Sequence, residues 1–156
     1  MKAFLVVGAE GSGTYMLWEA LASAGCGVDI EKNPENYAAR RSLPHAGEWP
    51  DIVGWVWDVV KRNYEPYPIF ILRDWYCTVR SITWRDASRD WEETEKNMVR
   101  AFATMGAIAA EYHNSTYVTY EAFCLSEGFR RWLFKTKLCL PEPTIEINFA
   151  NEKWYE

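Results

Sequence analysis

Histidine is nearly missing from this chain and cysteine is sparse. There are two histidines, His45 and His113, far apart, and four cysteines, Cys26, Cys77, Cys124 and Cys139. No CxxC pair and no zinc-finger spacing occurs among them. This argues against a structural metal and reads as reduced, mostly buried thiols in a cytoplasmic protein. An excess of basic charge is missing too. Seventeen Lys and Arg stand against 22 Asp and Glu, a net charge of −5, so a generic nucleic-acid or membrane-surface binder is not expected. Long apolar runs are absent as well. Ala3 to Val7 is shorter than the apolar region of a signal peptide, and nothing approaches the ~20 residues of a membrane span. What the chain does have is apolar and aromatic side chains, 49% and 16% of its 156 residues. That composition excludes disorder, and at this length folding buries roughly 68–70% of the unfolded surface. One domain over residues 1–156 is expected.

Strand and helix signals alternate. Residues 3–8 read as a strand buried on both faces, and 68–72, Pro-Ile-Phe-Ile-Leu, as a second. A helix is predicted from about Ser12 to Ala24, ended by Gly25 and Gly27, with Leu17, Ala20, Leu21 and Ala24 at helical spacing. Residues 31–50 read as irregular. Helices are predicted from about Pro50 to Arg62, Trp75 to Arg85, Trp91 to His113 and Glu121 to Leu138. A third strand is predicted at 116–119, and the tail from Thr144 as an edge strand or extended arm. This order predicts an α/β three-layer sandwich around a mostly parallel sheet, with helices on both faces.

The first turn is Gly8-Ala9-Glu10-Gly11-Ser12-Gly13-Thr14-Tyr15. Glycines let the chain turn tightly there and let backbone amides approach an anion. The following helix adds unpaired N–H groups and the positive end of its dipole. A phosphate or sulfate group is the expected ligand. Gly8 and Gly13 have the separation of a Walker A loop, but Thr14 takes the Lys position and Tyr15 the Ser/Thr position. The phosphate-binding ammonium and the magnesium-binding hydroxyl are both lost in that register.

A second constellation is Arg73-Asp74-Trp75-Tyr76-Cys77-Thr78-Val79-Arg80-Ser81. Arg73 closes the second buried strand and Ser81 lies eight positions on, along the next helix. Ligands of open α/β sheets bind at the carboxyl ends of strands, where an Arg fork and a hydroxyl hold a second phosphate.

Together these segments resemble the sulfotransferases that use 3′-phosphoadenosine-5′-phosphosulfate (PAPS). In that family a Lys-Ser-Gly-Thr-Thr-like loop binds the 5′-phosphosulfate, and an Arg with a Ser eight positions later binds the 3′-phosphate. Gly11-Ser12-Gly13-Thr14-Tyr15 matches the loop apart from its first and last residues, and Arg73 with Ser81 matches the pair. Val118-Thr119-Tyr120-Glu121-Ala122-Phe123 is similar to the family's strand-to-helix Tyr-Glu segment. The resemblance spans most of residues 3–140. It implies a compact cytoplasmic sulfotransferase with PAPS as cofactor, PAP as product and a small-molecule, glycan or peptide acceptor. The cofactor would be held by Gly11, Ser12, Gly13, Thr14, Tyr15, Arg73 and Ser81. Gly11 stands where relatives carry Lys or Arg.

The resemblance also implies a catalytic histidine after a strand, and His45 is the candidate, three residues beyond the matching register at Ser42. Glu10 is the alternative acid or base. Arg40, Arg41 and Arg80 are candidates for added positive potential, and Trp49 or Trp75 for stacking on an adenine or aromatic acceptor. Two other readings stay open: a P-loop nucleotide kinase, with Asp74 on magnesium, and a non-catalytic nucleotide-binding module.

Overall fold

The computed structural model describes residues 1–44, 48–86 and 88–151. Four strands form its centre: β1 (Lys2–Ala9), β2 (Asn36–Leu43), β3 (Glu65–Leu72) and β4 (Thr116–Thr119). They pair in the order β2-β1-β3-β4, every pair parallel. β1 and β3 are internal and carry continuous apolar runs, as a strand covered on both faces requires. Phe4, Val6, Ile69 and Ile71 are fully buried on one side, and Ala3 and Phe70 on the other.

The helices divide between the two faces. α1 (Thr14–Ser23), α5 (Tyr120–Leu125), α6 (Glu127–Arg131) and a π-helical segment (Trp132–Leu138) pack on the face of Phe4 and Ile71. α2 (Ile52–Lys61), α3 (Trp75–Arg85) and α4 (Trp91–Glu111) cover the face of Ala3 and Phe70. The chirality of parallel crossovers explains the split. β1 connects leftward to β2, whereas β2 to β3 and β3 to β4 run rightward, so their right-handed connections lie on opposite faces. Connections leave β1 and β3 in opposite directions at their shared carboxyl edge. That makes a crevice between the two strand ends, the switch point at which open α/β sheets bind ligands.

Two sequence expectations need correction. Residues 31–50 are not irregular: β2 occupies Asn36–Leu43, paired along the whole of β1. Its Arg40-Arg41 pair reads as a loop because it puts a cation on each face of an edge strand. Arg40 stacks over Tyr15 and Trp18 of α1, and Arg41 over Trp55 of α2. The single helix predicted over 121–138 is instead α5, α6 and the π-helical segment. The break falls at Ser126, whose Oγ accepts from the Phe129 amide and restarts the helix. Over residues 144–151 the tail is an arm rather than a strand, and residues 152–156 lie outside the described residues. Ile145, Ile147 and Phe149 pack on the core, and the intervening Glu146 and Asn148 face the crevice.

Among the described residues no helix is long and apolar enough to cross a membrane, and no group of His, Cys, Asp and Glu is arranged to hold a metal ion. Cys26, Cys77 and Cys124 are buried and Cys139 is exposed.

Candidate functional site

The turn after β1 is built on close packing. Gly8 pairs with Ile71 of β3, and a Cβ on Gly8 would lie 2.3 Å from Ser12 Oγ and 2.9 Å from the Ile71 carbonyl. Only glycine lets the loop fold back so near the strand. Gly13 caps α1 at φ +97°, and the Tyr120 ring lies where its side chain would start. Among the described residues no side chain caps this helix, which leaves the amides of its first turn unpaired there. The Ser12 amide is not among them, because it donates to the Ala9 carbonyl at 3.0 Å. Ser12, expected among the cofactor residues, thus has its N–H committed to the protein.

The crevice is a cleft of about 620 Å³. It is lined by Gly11, Gly13, Thr14 and Tyr15 from the loop, by Arg73 after β3, and by Ser81 on α3. Six of the seven expected cofactor residues therefore meet in one place. Ser12 does not line the cleft. It is 2% exposed, and its Oγ has no hydrogen-bond partner among the described residues. Thr14 Oγ1 is 3.1 Å from Ser42 Oγ, which ties the start of α1 to the end of β2.

Arg73 is held on three sides. Nε donates to Asn151 Oδ1 at 2.6 Å, Nη1 donates to the Gly11 carbonyl at 2.7 Å, and the guanidinium lies 4.6 Å over the Tyr120 ring. Nη2 is buried without an acceptor among the described residues. The free two-pronged fork expected from the sequence is thus mostly committed to protein acceptors, leaving one nitrogen. Tyr120 is fixed in turn: its hydroxyl accepts from the Ala150 amide at 3.0 Å, and burial pushes its phenol pKa up. Glu121 Oε1 accepts from the Asp74 amide and from Asn151 Nδ2. The Tyr-Glu segment thereby locks the arm against Arg73.

Sequence reasoning missed Arg85, Glu19, Glu146 and Asn148 as cleft residues, and Asn151 and Tyr120 as the residues that hold Arg73. Arg40 lines the cleft as expected, whereas Arg41 packs on Trp55 and Arg80 over Tyr76, neither among the lining residues. Three guanidiniums, of Arg40, Arg73 and Arg85, face three carboxylates, of Glu10, Glu19 and Glu146. Glu10 Oε2 accepts from Arg89 Nη1 at 2.6 Å, which commits this carboxylate to an ion pair. The Tyr15 phenol is raised by its hydrogen bond to Glu19.

Other expected roles fall elsewhere. Asp74 Oδ1 accepts from the Cys77 amide at 2.9 Å and caps α3. Trp75 donates to Glu95 and stacks on Phe102, and Trp49 lies under Arg100. Both tryptophans serve packing against α4 and neither lines the cleft. His45 lies outside the described residues. Ser42, in the register where the family's loop carries histidine, is buried and lines the cleft.

Comparison with family models, with curated proteins and with solved structures finds no match to this chain.

Proposed function

We propose that this chain binds PAPS and transfers its sulfuryl group to a hydroxyl or amine of a small-molecule, glycan or peptide acceptor. The observation that carries the reading is the meeting of the 11–15 loop, Arg73 and Ser81 in one cleft at the carboxyl edge of β1 and β3. The donor set fits a ligand with two anionic groups. Among the described residues, unpaired amides open α1, Arg73 Nη2 is a buried donor without an acceptor, and Ser81 and two further guanidiniums line the same walls.

In this reading the amides of Gly13, Thr14 and Tyr15 hold the 5′ end, and Arg73 with Ser81 the 3′-phosphate. Bound PAPS supplies an activated sulfuryl group and leaves as PAP. The α1 N-terminus stabilises negative charge gathering on the departing phosphate side. His45 is the proposed base that takes the acceptor's proton.

A magnesium-dependent kinase is the weaker reading. Asp74 is occupied as a helix cap, and Thr14 and Tyr15 stand at the Walker Lys and Ser/Thr positions. Calorimetric titration with PAP, PAPS and ATP, each with and without magnesium, tests the proposal. Magnesium-independent binding of PAP and PAPS is expected. Binding of ATP alone, and only with magnesium, overturns it.

A further inference from the structure

Position 11 carries no side chain, yet the space beside it is not empty of charge. A Cβ built on Gly11 would sit 3.3 Å from Arg85 Nη2 and 3.1 Å from Ile82 Cγ1. The guanidinium at the end of α3 therefore occupies the place from which a basic side chain at position 11 would project. Gly11 also has φ +79°, a conformation that strains any L side chain. A cation delivered to this spot from another element avoids that strain.

Arg85 is free to act there. Its Nε donates to the Ser81 carbonyl one turn back, at 3.0 Å, which fixes the stem and leaves the Nη groups at the cleft. No carboxylate partner of Arg85 is found among the described residues. On the other side of Gly11, Arg73 Nη1 holds its carbonyl. Two guanidiniums thus flank one glycine, beside the unpaired amides of α1.

We infer that Arg85 binds the anionic group seated at the 11–15 loop, supplying from α3 the charge that position 11 lacks. The inference deepens the proposed function and rests on it for the identity of the ligand as a phosphosulfate. The anion contact itself needs only a phosphate- or sulfate-like group. A guanidinium at this point also bonds such a group through two nitrogens, which a lysine ammonium cannot do.

The test is calorimetry on wild type, Arg85→Ala and Arg85→Lys, with inorganic pyrophosphate, PAP and 5′-AMP as ligands and thermal melts to confirm folding. Loss of a charge-assisted contact weakens binding on the order of ten- to a hundredfold. Arg85→Ala is expected to weaken all three ligands by a similar factor, and Arg85→Lys to restore part of it. The salt dependence of binding should also flatten in Arg85→Ala. A loss confined to PAP would place Arg85 at the 3′-phosphate and overturn the inference, as would unchanged binding of all three. If wild type binds pyrophosphate through Arg85 but prefers neither nucleotide, the anion site stands and the PAPS reading falls. If wild type binds no anion, both fall.

Discussion

Arg73 donates from Nη1 to the carbonyl of Gly11 at 2.7 Å, across 62 residues of sequence. This bond joins the turn after β1 to the end of β3, and the cleft exists because the two are held at one edge. The same guanidinium donates to Asn151 on the arm, which is fully buried. Lysine preserves the charge but not the fork, so Arg73→Lys leaves Asn151 Oδ1 or the Gly11 carbonyl without its donor. A loss of about 1–3 kcal/mol is expected. Urea unfolding measures it, and a variant as stable as wild type would show that these bonds contribute nothing.

Ser12 presents the opposite case. Its hydroxyl is buried and unpartnered, so its removal relieves a desolvated group rather than breaking a bond. Ser12→Ala is expected to leave the ligand-free protein equally stable, or more stable by up to ~1 kcal/mol. Thermal melts check this. A clear drop in Tm would mean that the hydroxyl has a partner in solution, such as an ordered water.

Stability should fall at alkaline pH. Burial raises the Cys26 thiol from 9.0 to about 12, and burial likewise raises Cys124, Tyr37 and Tyr120. An acid with a raised folded pKa stays protonated in the fold while the unfolded chain ionises. Its stabilising contribution is complete below the unfolded pKa and is lost as pH climbs toward the folded value. For Cys26 that window runs from 9.0 to about 12. Urea midpoints measured across it should fall with pH, and Cys26→Ala should fall less steeply. Equal slopes would show that Cys26 ionises as freely in the folded state as in the unfolded one.

The strands that build the cleft were readable because they are buried on both faces. Ala3 to Val7 and Pro68 to Leu72 are continuous apolar runs, a pattern that the internal β1 and β3 require. β2 was hidden, because an edge strand with Arg40 on one face and Arg41 on the other looks like a polar loop until Tyr15, Trp18 and Trp55 are seen to cover those cations. The site divides in the same way. Gly11, Gly13, Thr14 and Tyr15 share one short turn, and Arg73 and Ser81 keep a fixed spacing on one strand-to-helix unit, so sequence carries them. Arg85 reaches Gly11, and Asn151 reaches Arg73, only through tertiary packing. No local pattern marks either contact.

The central claim is that the cleft reads a 3′-phosphate as well as a 5′ anion. It is tested most directly by the ratio of dissociation constants for PAP and 5′-AMP, which differ only in the 3′-phosphate. The comparison should be made at physiological salt in wild type and in Arg73→Ala. A charge-assisted contact to Arg73 Nη2, with Ser81 beside it, should make PAP bind wild type roughly tenfold or more tighter than 5′-AMP. Most of that advantage should vanish in a folded Arg73→Ala. Equal affinities in wild type, or an advantage untouched by the substitution, would contradict the account.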